Sequence, residues 1–507
     1  MISRILAAIA LFAAFSCQPA EQKPQKPNIV LILADDLGYG EVGFNGQKLI
    51  KTPHMDALAA SGKIFTNHYT AAPVCAPARG MILTGLHSGH AYIRGNDEWR
   101  ERGEVWDYAK AAADPNLEGQ RPLPAETQTI AKILQQNGYK TALVGKWGLG
   151  GPLSEGIPTK LGFDYFFGYN CQRQAHNLYP PHLWENETKV SLNNELIVPG
   201  TKLDSLLDPM NLDSYAKYFQ PDYAPDVMHQ KALSFLEENS EQPFFLYYAS
   251  PLPHLPLQAP KELIMEYVEI FGEEDPYDGS KGYFPARYPR ATYAAMISLL
   301  DQQIGELRKK VEEMGQLENT IFILTSDNGP SYTGGVDFEF FDSSAPFSNG
   351  YGRTKGFVYE GGIRVPMVVN WPGKVDAGTH SDHASVFYDL MPTFCELIGV
   401  AVPDETDGKS FLPAILGQEQ EPHDYLYWEF PEYGGQQAVR MGQWKAVRQK
   451  LKEGVIQTEL YDLSADPQEQ NDVSEQYPEI LSQLEEIMKN EHQTSSIERF
   501  QIPVLEN

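Results

Sequence analysis

Short, uninterrupted apolar runs mark this chain at 28–34, 141–144, 244–248, 320–325 and 365–369, each bounded by polar residues or glycine. Runs of that length without alternation suit strands covered on both faces, as in a parallel sheet. Between them, 129–136, 226–238 and 292–314 read as helices, so strands and helices alternate and predict an α/β layered architecture. From about Asp424 the texture changes. Strand-like pieces at 425–428, 437–440 and 444–448 precede a helical stretch at 478–490, which predicts a small α+β subdomain. The expected organisation is a leader at 1–17, a linker at 18–27, a large domain at 28–420 and the subdomain at 421–507.

The leader carries Arg4, an apolar run at 5–15 too short to span a bilayer, and Ser16-Cys17, the arrangement of an export signal. Cys17 followed by a Pro-rich stretch is similar to a bacterial lipoprotein tether, in which the cysteine is lipidated and an extended linker holds the domain off the membrane. The expected location is therefore exported, periplasmic or membrane-tethered, with a plain secretory signal as the alternative. Cys75, Cys171 and Cys395 are too few for a disulfide framework, and buried thiols are expected at 171 and 395. A formal charge of -28, from 40 Lys+Arg against 68 Asp+Glu, excludes nucleic acid as a partner. An anionic substrate would need a local basic pocket.

Polar residues fall where the strands end. Asp35-Asp36 follows the first run, Lys146 the second, His254 the third and Asp327-Asn328 the fourth. Ligands in open α/β sheets collect at the carboxyl ends of strands. Hard oxygen donors on two separate loops can surround calcium or magnesium, although an Asp pair after a strand is more often a turn or a helix cap.

Cys75-Ala76-Pro77-Ala78-Arg79 decides between these readings, because Cys-x-Pro-x-Arg resembles the signature at which sulfatases convert cysteine into formylglycine (3-oxoalanine). The segments 32–40 (Ile-Leu-Ala-Asp-Asp-Leu-Gly-Tyr-Gly) and 325–329 (Thr-Ser-Asp-Asn-Gly) resemble sulfatase metal loops. Further family-like segments stand at 139–147, 250–257, 352–366 and 407–410. The chain therefore resembles the sulfatase family of the alkaline-phosphatase superfamily from about Pro27 through the subdomain. The resemblance implies an α/β/α sandwich with a large mixed, mostly parallel sheet and a C-terminal antiparallel sheet. It also implies one calcium ion held by Asp35, Asp36, Asp327, Asn328 and the modified Cys75, with Arg79, Lys146, His254 and Lys355 around sulfate and nucleophile. A formylglycine-generating or anaerobic sulfatase-maturing enzyme would be the partner that modifies Cys75.

Those residue types suit the chemistry. Hydrolysis of a sulfate ester needs positive charge on the non-bridging oxygens, an oxygen nucleophile and an acid for the leaving alcohol. Cys75 is expected to open a helix over 77–87, whose amino-terminal end favours an anion. Lys146 and Lys355 suit sulfate as point charges, Arg79 orients by forked donation, and His254 would protonate the leaving oxygen. One position departs from the family pattern. Many sulfatases continue Gly-Lys-Trp with His-Leu-Gly, and that histidine takes the proton that expels sulfate; here the residue is Gly148. The nearest histidine by sequence is His176, in a segment at 169–184 resembling one of some carbohydrate sulfatases. Its Gln172, Arg173 and His176 are candidate sugar contacts, with a satisfied polar loop as the alternative. The expected function is hydrolysis of a sulfated carbohydrate. A phosphodiester or phosphonate hydrolase of the same superfamily and a non-catalytic sulfated-glycan-binding protein are the alternatives.

Overall fold

A computed structural model describes residues 26–506, so the leader, Cys17 and nearly all of the linker lie outside the described residues. Twelve strands belong to the large domain: β1 (Asn28–Ala34), β2 (Lys63–Phe65), β3 (His68–Tyr69), β4 (Lys140–Lys146), β5 (Tyr165–Tyr169), β6 (His182–Glu185), β7 (Thr188–Ser191), β8 (Phe244–Ala249), β9 (Thr320–Ser326), β10 (Val368–Asn370), β11 (Thr379–Ser381) and β12 (Ser385–Val386). All but β3 and β12, which pair with each other, form a ten-stranded sheet in the order β11-β2-β10-β9-β1-β8-β4-β5-β6-β7. Its centre, β9-β1-β8-β4-β5, is parallel throughout. Antiparallel strands flank it on both sides.

The central runs are buried on both faces, as their lack of alternation predicts. In β1, Ile29, Leu31 and Leu33 pack into one core while Val30, Ile32 and Ala34 pack into the other. The Cys75–Thr84, Ile130–Gln136 and Leu390–Ile398 helices cover the first face. The Ala224–Glu238, Lys261–Phe271 and Pro289–Glu313 helices cover the second. The result is the expected three-layer α/β/α sandwich, and Cys171 and Cys395 are buried free thiols within it.

Two elements differ from expectation. The run at 365–369 yields only the short strand β10, antiparallel to β9. Pro366 has no amide proton for a ladder, so regular pairing starts beyond it. The helix expected over 77–87 spans Cys75–Thr84 and is closed by Gly85, whose N–H donates to Met81 O. This start sets residue 75 itself on the first turn.

The C-terminal sheet is antiparallel, from β13 (Leu426–Phe430), β14 (Gln436–Met441), β15 (Trp444–Arg448) and β16 (Thr458–Asp462), with the Pro478–Asn490 helix against it. A buried ion cluster ties it to the large domain. Lys445 Nζ lies 2.9 Å from Glu360 Oε1 and 2.8 Å from Glu469 Oε1, and all three side chains are sealed from solvent. Burial and then the neighbouring Glu360 push Glu469 up to about 7, partly offset by Lys445. Burial also acts on Glu360, but Lys445, Arg364 and Arg440 hold it at about 2. Among the described residues no helix is long and apolar enough to cross a membrane.

Lys445→Ala strands this carboxylate pair, and breaking a buried pair from one side costs about 3–5 kcal/mol. The substitution is expected to lower the urea midpoint accordingly; an unchanged midpoint would show that the cluster does not hold the two units together.

Candidate active site

Five parallel strands deliver their carboxyl ends to one edge, and every charged group singled out there by sequence converges on Cys75. Asp35 and Asp36 leave β1, and Asp36 takes a left-handed backbone (φ 69°) that a non-glycine residue adopts only under constraint. The constraint is visible: Asp36 N donates to Asp327 Oδ1 at 3.1 Å, locking the β1 loop to the β9 loop. Cys75 Sγ lies 3.3 Å from Asp35 Oδ1 and 4.0 Å from Asp36 Oδ1. Lys355 Nζ reaches Asp36 Oδ1 at 2.6 Å and Cys75 Sγ at 3.6 Å. Lys146 Nζ donates to Asp35 Oδ2 at 2.6 Å. Arg79, one helical turn beyond Cys75, sends Nε and Nη2 to Asp327 Oδ2 at 3.0 and 2.8 Å and Nη1 to the Lys146 carbonyl at 2.8 Å. His254 Nε2 stands 3.8 Å from Asp36 Oδ2.

Three buried carboxylates thus face two buried cations, Arg79 and Lys146, and the partly buried Lys355, and their proton affinities follow. Burial would raise the Asp35 pKa, but Lys146, His254, Arg79 and Lys355 hold it well below the carboxylate range. Asp327 goes the other way, pushed up to about 7 by burial and the Asp35 charge against Arg79. Burial and the Asp327 and Asp35 carboxylates push the Cys75 thiol well up. A thiol so placed stays protonated and is a poor nucleophile. Burial and the Lys355 charge push His254 well below the imidazole range. Its Nδ1 lies 2.6 Å from Leu255 O, which only accepts, so Nδ1 carries the proton and Nε2 faces the site bare.

The donor set fits a hard divalent cation. Asp35, Asp36, Cys75 and His254 offer ligand atoms within 4.8 Å of one another. Asn328 donates its Nδ2 to Asp36 Oδ1 at 2.7 Å, while its Oδ1 is buried without a partner. An orphaned amide oxygen beside three carboxylates is the oxygen-rich arrangement that calcium takes.

The segment after β5 forms a turn, Gln172–His176, on the same edge. His176 stacks on His254, ring centroids 5.3 Å apart and 13° between planes. Burial, His254 and both lysines keep its imidazole neutral at ordinary pH. Arg173 lies over the Trp106 ring at 4.9 Å and bonds its carbonyl. Gln172 explains position 148. Gly148 has φ 82°, and a Cβ there would fall 2.9 Å from Gln172 Cγ. The glutamine side chain fills the space that a larger residue would need, with Nε2 donating to Asn96 Oδ1 at 2.9 Å and Oε1 buried without a partner. His229 and His423 instead pair with Glu306 and Asp389, away from the centre.

Sequence reading missed three neighbours. Asn96 Oδ1 also accepts from Ala76 N at 3.1 Å, holding the first turn of the Cys75 helix. Glu98 is buried with Oε2 unpartnered, and burial pushes it up to about 8 while Arg173 and Lys146 pull it down. Tyr283 packs edge-on against His176 and His254. Asn96 follows Arg94-Gly95 shortly after the signature helix and so was within reach of inspection; Tyr283 sits in a Gly-rich surface stretch with no signal of its own.

Known proteins resemble this chain in sequence and fold. The sulfatase family model matches residues 27–400, and a model described as N-sulphoglucosamine sulphohydrolase, C-terminal, matches 351–494. The chain belongs to the sulfatase family and is a sulfuric ester hydrolase. It is 30% identical to human arylsulfatase A over 504 residues, covering 91% of this chain and 87% of that one. It is 29% identical to the N-acetylgalactosamine-6-O-sulfatase of Bacteroides thetaiotaomicron over 526 residues, covering 92% and 94%. Among solved structures, Ps i-CgsB in complex with k-i-k-neocarrahexaose superposes with a TM-score of 0.72 at 28% identity, covering 93% of this chain and 94% of that one.

Two outcomes follow from this geometry. Gly148→His meets both left-handed backbone and the Gln172 side chain, and should lose about 1–3 kcal/mol of stability. Adding Gln172→Ala should restore part of it in denaturation experiments, whereas a neutral single substitution would contradict the packing. Glu98 holds its proton from its ordinary 4.5 up to about 8 in the folded chain, so it contributes a loss of stability as pH rises through that window. Glu98→Gln should flatten the decline in melting temperature between pH 5 and 8; an unaltered slope would remove Glu98 from the account.

Proposed function

We propose that this enzyme removes sulfate from a sulfated carbohydrate, with Cys75 matured to formylglycine and a calcium ion bound beside it. The observation that carries the reading is the convergence of Arg79, Lys146, Lys355 and His254 on residue 75 at the open end of the sheet. The carbohydrate is supported by the relatives, one named an N-acetylgalactosamine-6-O-sulfatase and one solved in complex with k-i-k-neocarrahexaose.

Calcium would be held by Asp35, Asp36, Asp327, Asn328 and residue 75, where it would lower the proton affinity of the oxygen nucleophile and offset charge on sulfate. Maturation of Cys75 to formylglycine would supply the oxygen nucleophile, and burial of Cys75 favours conversion by a maturing enzyme before the chain folds. Lys146 and Lys355, which lie on Asp35 and Asp36, would donate to the sulfate oxygens as point charges. Arg79 keeps Asp327 and the Lys146 backbone in register. His254 is held neutral by burial and then by the Lys355 charge, with Nε2 bare; a bound sulfate would offset the lysine charge, and Nε2, once protonated by solvent water, would give that proton to the leaving alcohol. To His176, neutral and stacked beside it, we assign the proton that a histidine at 148 takes in other sulfatases. Of the two sugar candidates, Arg173 is the partly exposed one, lying over Trp106, whereas the buried Gln172 packs against Gly148 and would shape the wall of the site. Export and tethering through Cys17 complete the reading and rest on the leader alone.

The test is a comparison of 4-nitrophenyl sulfate, sulfated monosaccharides and bis(4-nitrophenyl) phosphate in calcium-containing buffer. Sulfate esters should dominate, and Lys146→Ala or Lys355→Ala should each lower kcat/KM by about 10²–10³. Predominant phosphodiester turnover would replace this reading with that of a phosphodiesterase.

A further inference from the structure

An aromatic shelf stands beside Lys355 and leads away from the sulfate pocket. Tyr332, Tyr351, Phe357 and Tyr433 form a continuous chain of edge-to-face contacts: Tyr332–Tyr351 at 5.3 Å, Tyr351–Phe357 at 5.2 Å and Phe357–Tyr433 at 5.5 Å between centroids. Packing alone does not account for it, because Tyr351 is 74% exposed and Tyr433 46% exposed. Burial of such rings is a large part of what an aromatic side chain contributes to a fold, and here it is forgone.

The shelf is rigidly coupled to the reaction centre. Gly356, directly after Lys355, has φ 88°, and a Cβ there would fall 3.0 Å from the Tyr433 ring. The backbone therefore lies flat against that ring, and Gln436 Nε2 donates to Gly356 O at 2.7 Å from the adjoining strand β14. Tyr433 itself holds a left-handed backbone (φ 50°), a strained conformation for an aromatic residue. Lys355 N donates to Pro330 O at 3.3 Å, which fixes the Tyr332 loop to the same point.

Beyond Tyr433 opens a cleft of about 730 Å³, lined also by Asp97, Arg121, Glu432, Lys452 and Arg499. Its opposite wall is anchored to the centre too, since Asp97 follows Asn96, the residue that holds the Ala76 amide. The cleft's charges are matched. Arg499 pairs with Asp97 at 2.7 Å and Glu432 at 3.2 Å, and Arg121 pairs with Asp97 and with Glu101. Matched acids and bases present donors and acceptors for hydroxyls without a net field for a second sulfate.

We infer that this shelf and cleft form a subsite for the neutral, hydroxyl-rich sugar residue linked to the sulfated one, with Tyr351 and Tyr433 stacking on its apolar face. The subsite joins elements of both sheets, so a glycan spans the junction between the large domain and the C-terminal unit. It rests on the sulfated-carbohydrate reading and makes the substrate an oligosaccharide or polysaccharide rather than a free sulfated monosaccharide.

The test uses full-length Cys75→Ala protein, alone and combined with Tyr351→Ala or Tyr433→Ala, titrated with sulfated mono-, di- and tetrasaccharides from kappa-carrageenan and keratan sulfate, in which a sulfated residue is linked to a neutral one. Cys75→Ala should bind the best tetrasaccharide at least about tenfold more tightly than its monosaccharide, and each tyrosine substitution should erase most of that gain. Tyr351 is exposed, so its removal leaves a folded protein even if the Tyr433 loop yields, and melting curves check both. Length-independent affinity, or a gain retained in the Tyr351→Ala protein, overturns the subsite. If the Cys75 enzyme hydrolyses sulfated sugars while affinity is length-independent, the subsite alone fails. If it neither binds nor hydrolyses any of these sugars, the carbohydrate reading fails and takes the subsite with it.

Discussion

Six opposite charges buried at one sheet edge govern this molecule. Asp35, Asp36 and Asp327 are sealed from solvent with Arg79, Lys146 and, at the rim, Lys355. None of them could be buried alone, because an unpaired ion in the interior costs several kcal/mol. The parallel order β9-β1-β8-β4 brings all but Arg79 and Lys355 to one edge as strand ends, and the helix from Cys75 adds the arginine. Charge balance also sets the chemistry. A divalent cation on the carboxylates would leave the lysines in excess, and would give a chain of formal charge -28 a small pocket that attracts a sulfate ester.

Much of this was legible in the chain because local order and chemistry coincide. The uninterrupted runs that end in Asp35, Lys146 and Asp327 became the central strands, since a strand buried on both faces leaves no room for alternation. What escaped depends on contacts distant in sequence. β16, Thr-Glu-Leu-Tyr-Asp, is too polar to stand out before its pairing with β15 is known. Pro366 shortened an apolar run that read as a full strand. Tyr283 owes its importance to two histidines distant in sequence, whereas Asn96 follows the Cys75 helix closely but carries no motif that marks it.

Position 148 joins these two kinds of information. The sequence registers a missing imidazole, whereas the structure accounts for its space: Gln172 occupies it and bonds Asn96, which in turn holds the Ala76 amide. Position 148, the turn after β5 and the start of the Cys75 helix are thereby packed as one unit. His176, four residues beyond Gln172 on the same turn, stacks on His254. The C-terminal unit completes the rim. Its Lys445 cluster fixes the two units, and Tyr433 stands over the backbone of Gly356.

Everything assigned to this edge turns on the state of residue 75. Mass spectrometry of the peptide containing Cys75, from active protein isolated from its native host, addresses it most directly. The account predicts that the active fraction carries an aldehyde at residue 75 in place of the thiol. An unmodified cysteine throughout fully active protein would contradict it.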